Sequence, residues 1–259
     1  SVCYLTTRGA VKAVDNVSFS IQPGEVVGLA GESGSGKSTI AHAIMRILHP
    51  PALITSGQAL FQGEDIFRMD EAALEQFRWK KISIVFQSAM NALNPVMKIR
   101  DQITDTMLIH GLSKEAANQR AEQLFDLVGI EKKRLDAYSH QLSGGMRQRA
   151  VIAIALALNP PMLIMDEPTT ALDVVVQKDI LKQISLLREE LGFSIIFITH
   201  DLSLLVENST HINIMYAGEI VEKAPARELF ENPLHPYTLG LMNSFPSISG
   251  KKRRLTGIP

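Results

Sequence analysis

Little in these 259 residues speaks for an oxidised or membrane-embedded protein. The single cysteine, Cys3, excludes an intramolecular disulfide and a cysteine metal cluster within the sequence. The want of a disulfide framework fits a reducing, intracellular compartment. Long apolar runs are missing too. The longest, Ala150 to Leu158, falls far short of the ~20 residues that cross a bilayer. No basic region followed by an apolar one opens the chain, as a signal peptide would. Work at a membrane is therefore expected to depend on another chain for the membrane part. Charge of one sign is also not in excess: 26 Lys+Arg against 27 Asp+Glu leave a net −1. No overall basic field points to nucleic acid, which is not expected as a partner. There is no internal repeat and no low-complexity segment. The sequence starts at Ser1 rather than Met and stops after a basic run, so trimming at one or both ends is expected. That run, Lys251-Lys252-Arg253-Arg254, reads as a solvated tail near anionic lipid or a partner rather than a nuclear signal.

What is present describes a folded globular protein, with 46% hydrophobic and 20% charged residues. The length suits one large α/β domain or two small ones. Its most informative stretch is Gly31 to Thr39, G-E-S-G-S-G-K-S-T, which fits the phosphate-loop pattern G-x-x-x-x-G-K-[ST] at every fixed position. An apolar run, Val26 to Ala30, precedes it and a helix-compatible run, Ile40 to Leu48, follows. Gly31, Gly34 and Gly36 let the backbone turn successive N–H groups toward a polyphosphate, with Ser33 and Ser35 between them. The following helix aims its N-terminus at the same oxygens. Lys37 adds a full charge for the β- and γ-phosphates, and the Ser38 hydroxyl, followed by Thr39, is placed for Mg²⁺. This pattern predicts binding of a nucleoside triphosphate.

Along the chain, Val11, Ala13, Val17, Phe19 and Ile21 read as short alternating strands closed by the turn Pro23-Gly24. A strand pair is expected around Gln58 to Phe61 with Gly57 and Gly63 as punctuation, and a buried strand at Ile82 to Phe86. From about Ser88 to Asn159 the pattern is helical. Ala117, Arg120, Leu124, Leu127 and Val128 recur at three- and four-residue spacing, and Gly129 stands where a C-terminal cap would. Residues 88–159 are read as a helical lobe inserted into an α/β core of residues 1–87 and 160–231, with 232–259 as a C-terminal extension. Strands return at Met162 to Met165, Ser194 to Ile198 and Ile212 to Tyr216, with a helix carrying Val176, Ile180, Ile184, Leu187 and Leu191 between the first two. A short helix is expected over Ala226 to Glu231. Strands alternating with helices predict a mostly parallel sheet covered on both faces.

Two further segments carry chemistry. Met162 to Met165 is an apolar strand ending in Asp166-Glu167. Two carboxylates in a confined place repel, so a cation or a proton must accompany them. Asp166, with Ser38, is expected to bind Mg²⁺, and Glu167 to polarise the attacking water. In Leu142-Ser143-Gly144-Gly145-Met146-Arg147-Gln148-Arg149, Ser143 can N-cap the helix through Ala150 to Leu158, and the two glycines expose its first N–H groups.

With these segments in this order the chain resembles the ATP-binding cassette (ABC) ATPases over nearly its whole length. Gly31–Thr39 resembles the family's Walker A, Gln87 its Q-loop, Leu142–Gln148 its signature and Met162–Glu167 its Walker B. Thr170–Asp173 resembles the D-loop, and His200 the switch histidine. The resemblance implies a P-loop NTPase core with a mostly parallel sheet, an N-terminal antiparallel β-subdomain and an inserted α-helical subdomain. It implies an ATPase in which two cassettes close head-to-tail, each ATP lying between one Walker A and the other's signature. Glu167 would then act as general base, His200 would orient the γ-phosphate and the water, and Gln87 would reach Mg²⁺ and the water. Ser143, Gly144, Gly145 and Asp173 would contact nucleotide, and Tyr4 would stack on adenine or stand as a simple edge-strand tyrosine.

Phe86 to Pro95 and Asn232-Pro233-Leu234-His235-Pro236-Tyr237-Thr238 resemble the dipeptide/oligopeptide/nickel importer branch. That branch implies a second, related ATPase, two transmembrane permease subunits, a substrate-binding protein and a place on the cytoplasmic face of the cell membrane. Several of its members hold an iron–sulfur cluster on C-terminal cysteines, which these residues do not contain. Peptides, nickel and oligosaccharides stay open as substrates, as does pairing with itself or with another mate. A soluble cassette acting on DNA or ribosomes is disfavoured by the lack of a long coiled-coil insertion or a second cassette. A P-loop kinase leaves the signature and Glu167 unexplained.

Overall fold

The computed structural model describes residues 1–87, 92–170 and 172–243. Part of the Phe86–Pro95 segment, one residue of the Thr170–Asp173 stretch and the basic run Lys251–Arg254 lie outside the described residues.

The chain opens with strands β1 (Val2–Thr6) and β2 (Gly9–Val14), followed by β3 (Val26–Ala30) and helix α1 (Lys37–Ile44). Three short strands, β4 (Ala52–Ile54), β5 (Leu60–Phe61) and β6 (Glu64–Asp65), lead to α2 (Glu71–Phe77) and β7 (Ile82–Val85). A helical stretch follows with α3 (Ile99–Ile109), α4 (Lys114–Leu127) and α5 (Gly144–Ala155). Then come β8 (Met162–Asp166), α6 (Val174–Leu191), β9 (Ser194–Ile198), α7 (Leu202–Asn208), β10 (His211–Tyr216), β11 (Glu219–Pro225), α8 (Ala226–Glu231) and α9 (Pro236–Asn243). No described helix is long and apolar enough to cross a membrane.

These elements divide into two compact units. The first comprises Ser1–Ile21, Val26–Phe67 and the chain from Phe197 onward. In it β1 pairs antiparallel with both β2 and β4, while β10 lies parallel to β3 and antiparallel to β11. All five residues of β3 are buried, so its apolar run lacks alternation because both faces are covered. The expected strand at residues 17–21 does not form. Its side chains alternate between half-buried and exposed, but no ladder partner is assigned to it. Period-2 burial reports a face, whereas a strand also needs a neighbour's N–H and C=O groups.

The second unit comprises Gln22–Glu25 and Arg68–Ile196. Strands β7 and β8 run parallel in register, Ile82 opposite Met162 and Val85 opposite Met165. Helix α4 begins at Ser113, whose side chain accepts from the Ala116 N–H at 3.2 Å, and Gly129 at φ 67° follows its end. Its buried stripe is Ala117, Ala121, Leu124 and Phe125; of the helix residues spaced in the sequence, Ala117 and Leu124 lie on it, while Arg120 and Leu127 are half-buried. Ile99, Ile103, Met107, Leu124, Phe125 and Leu135 are all 0% exposed and form the core of this helical stretch. Burying a side chain of that size stabilises by about 1.5–3 kcal/mol. Arg120 on α4 donates to the carbonyls of Leu156 and Ala157 and to the Asn159 side chain, closing the C-terminal end of α5.

Candidate functional site

In the first unit the turn from β3 into α1 is built by close approach. A Cβ on Gly31 would lie 2.2 Å from the Met215 carbonyl oxygen, and one on Gly36 would lie 2.2 Å from that of Ala13. Both glycines hold positive φ, 146° and 102°, so any side chain is excluded by conformation as well as by space. Lys37 begins α1 and is only 6% exposed. Its ammonium donates to the carbonyls of Gly31 at 2.8 Å and Glu32 at 2.7 Å, and to the Ser35 hydroxyl at 3.3 Å. The charge is thus held inside the ring of its own loop. Ser33 and Gly34 are exposed at the rim, while Ser38 and Thr39 are half-buried on the first turn of α1.

His200 stands exposed between buried β9 and α7. Asp201 fixes the start of α7 by accepting from the N–H groups of Ser203 at 2.9 Å and Leu204 at 3.4 Å. The imidazole is therefore carried at a defined strand-to-helix turn. Tyr4 lies on β1 opposite Val11 and Ala52, half-buried. One residue that sequence reasoning used only as a branch marker reaches the loop: the Tyr237 hydroxyl accepts from the Glu32 N–H at 3.1 Å.

In the second unit the parallel pair β7–β8 delivers two expected site residues to one place. The Gln87 side-chain amide donates to Glu167 Oε2 at 2.9 Å. Asp166, the last residue of β8, is 2% exposed. Glu167 follows it at φ 47°, a left-handed conformation that a residue with a Cβ adopts at a cost and that recurs at functional turns. Thr170, whose role the sequence left undefined, holds this turn. Its hydroxyl is 3.1 Å from the Glu167 carbonyl oxygen and 3.0 Å from Glu167 Oε2. The carboxylate is therefore oriented through Oε2, which accepts from both the amide and the hydroxyl.

Ser143 N-caps α5 as its sequence position predicts, accepting from the Met146 N–H at 3.3 Å. No acid stands in the first turn of that helix, so its N-terminal N–H groups and dipole are not neutralised from within. Gly145 packs tightly, since a Cβ there would lie 2.9 Å from Val176 Cγ1 on α6. Asp173 caps α6 by accepting from the Val176 N–H at 3.0 Å. The same carboxylate was expected at nucleotide; its contact in this unit is the helix cap.

The chain is similar to known proteins over its whole length. The family model described as ABC transporter matches residues 14–170, and that described as oligopeptide/dipeptide transporter, C-terminal region, matches residues 221–259. The chain is 45% identical over 264 residues to the oligopeptide transport ATP-binding protein OppD of Bacillus subtilis (strain 168), spanning 100% of this chain and 74% of that protein. It is 45% identical over 262 residues to the dipeptide transport ATP-binding protein DppD of Lactococcus lactis subsp. cremoris (strain MG1363), spanning 100% of this chain and 75% of that one. Among solved structures, the dimeric ATP-binding cassette MJ0796 bound to ADP and Pi superposes with a TM-score of 0.76. Its identity is 30%, over 87% of this chain and 95% of that one. The cbiO1 subunit of the cbiONQ transporter from Clostridium perfringens gives 0.77 at 28% identity, over 89% and 88%. The expected fold, a P-loop ABC cassette with mostly parallel strands and an antiparallel N-terminal sheet, is the fold of these neighbours. The chain belongs to the ABC transporter family and is one of its ATP-binding, ATP-hydrolysing subunits.

Proposed function

We propose that this ATPase powers the import of dipeptides or oligopeptides. The observation that carries the reading is the match of residues 221–259 to the oligopeptide/dipeptide transporter C-terminal region, beside full-length similarity to peptide-transport ATPases. On this reading the chain works on the cytoplasmic face of a membrane, beneath permease subunits that receive peptide from a substrate-binding protein. A second ATPase subunit, this chain or a homologue, completes the pair.

Each residue then has a task. Gly31, Ser33, Gly34, Ser35, Gly36, Lys37, Ser38 and Thr39 cradle the phosphates, and Ser143, Gly144 and Gly145 of the partner cassette cover the γ-phosphate and exclude water. Asp173 borders this junction, residues 88–159 act as the lobe that carries the signature, and Tyr4 stacks on adenine. Ser38, Gln87 and Asp166 offer a hydroxyl, an amide oxygen and a buried carboxylate. These hard oxygen donors suit Mg²⁺, which neutralises charge on the phosphates when bound. Among the described residues no group of three or more His, Cys, Asp or Glu is placed to hold a metal ion. Glu167 takes a proton from the attacking water, with its carboxylate aimed by Gln87 and Thr170. His200 orients the γ-phosphate and the water.

Vesicles containing the permease subunits and this ATPase, loaded with ATP, test the reading. Uptake of labelled dipeptide or oligopeptide, absent without ATP, is the expected result. Uptake of nickel or an oligosaccharide in place of peptide would overturn the substrate assignment.

A further inference from the structure

The segment Asn232 to Thr238 lies outside the catalytic motifs, yet in the first unit it contacts the phosphate loop. Its geometry is built from β11 upward. Glu222 on β11 accepts from the backbone N–H groups of Leu234 at 2.7 Å and His235 at 3.1 Å. Burial raises the Glu222 carboxyl, but the Thr238 hydroxyl beside it and these two N–H groups outweigh burial and hold it below its usual range. His235 Nδ1 in turn accepts from the Tyr237 N–H at 3.1 Å, at the first turn of α9. Tyr237 is thereby fixed with its ring against Tyr216 of β10, centroids 4.6 Å apart and planes tilted by 48°. The ring is 6% exposed and its hydroxyl accepts from the Glu32 N–H at 3.1 Å. Burial pushes the phenol above its ordinary value, so it stays a neutral hydroxyl at working pH.

We propose that Tyr237 is a positioning residue for ATP binding, pinning the mouth of the phosphate loop through the Glu32 N–H. The two grips on this loop differ in kind. Lys37 holds the carbonyls of Gly31 and Glu32 from inside, and its ammonium is the group that phosphate oxygens attract. Tyr237 holds the Glu32 peptide by its N–H, a group that Lys37 does not use. Its grip does not compete with nucleotide. It keeps the loop open when Lys37 turns to the phosphates, and it links the C-terminal region, which begins at residue 221, to the affinity for ATP. The inference rests on the phosphate-loop reading above.

Tyr237→Phe tests it, because the phenyl ring keeps its packing on Tyr216 and only the acceptor is lost. With the full chain and Mg-ATP, KM for ATP should rise about two- to tenfold, the worth of one hydrogen bond, with kcat retained at saturating ATP. The nucleotide-free melting temperature should stay at the wild-type value, and hydrogen–deuterium exchange at the Glu32 amide should quicken. An unchanged KM with unchanged Glu32 exchange would overturn the proposal. So would a loss confined to melting temperature. Lys37→Ala separates this from failure of the loop reading itself. If that variant binds ATP like wild type, the loop is not the phosphate site; if it loses ATP while Tyr237→Phe does not, only the role of Tyr237 falls.

Discussion

Replacing Gly36 by alanine should cost ATP affinity by an amount the loop geometry sets. Gly36 sits at φ 102°, ψ 0°. An L-residue there carries roughly 1–3 kcal/mol of backbone strain. Strain of that size, relieved by leaving the binding conformation, lowers affinity about five- to 140-fold. A second term adds to it. The new Cβ would lie 2.2 Å from the Ala13 carbonyl oxygen, where ordinary contact begins near 3.4 Å, so the backbones must part by about 1.2 Å. Gly34 separates the two terms, since at φ 82° it is strained for alanine but its Cβ would meet nothing within 4 Å. Calorimetric Kd values for ATP should therefore rank wild type tightest, Gly34→Ala weaker and Gly36→Ala weakest. The reasoning fails if folded Gly36→Ala binds ATP as tightly as Gly34→Ala, because the collision with Ala13 would then have no consequence.

Two other perturbations test separate parts of the account. Thr170→Val removes the hydroxyl that holds Glu167 through its carbonyl and its Oε2 while keeping the side chain's shape; kcat should fall about two- to tenfold, and an unchanged kcat would show that the clasp is idle. Arg100 binds Asp136 through Nε at 3.1 Å and a terminal nitrogen at 3.2 Å, which together hold that carboxyl below its ordinary value. A carboxyl depressed by folding stabilises above its unfolded pKa, and that gain is lost as pH falls through the folded one. Asp136→Asn should thus melt slightly lower than wild type at pH 7, with the gap closing in acid below the carboxylate range. A gap of equal size at both pH values would refute the linkage.

Much of this was legible in the sequence because local rules and tertiary demands agree. Ser194 to Ile198 and Ala226 to Glu231 fall on the expected residues, and α4 starts three residues before its predicted stripe and ends at Leu127, with Gly129 following. The Gly31–Thr39 pattern turned out to be enforced twice, by positive φ and by the carbonyls of Ala13 and Met215. What the sequence could not show depends on partners remote along the chain. The alternation at residues 17–21 carries no information about whether a ladder neighbour exists. The expected helix through Leu48 ends at Ile44, with Arg46 turning to φ 50°. Helix α2 is short and lacks a clear period, so packing rather than pattern makes it, and strand β11, with no buried residue, is made by its antiparallel pairing with β10. Tyr237 was visible as a letter, but its hydroxyl's partner, 205 residues earlier, is fixed by where the chain returns; Thr170 meets Glu167 only three residues back, through a turn whose left-handed Glu167 no local pattern announces.

On the proposed mechanism Glu167, aimed by Gln87 and Thr170, drives hydrolysis of an ATP enclosed between two cassettes. Glu167→Gln with Mg-ATP measures it directly. Hydrolysis should fall by about 10²–10⁴ with ATP still bound, and an ATP-stabilised dimer should accumulate on a sizing column. Hydrolysis at the wild-type rate by this variant would contradict it.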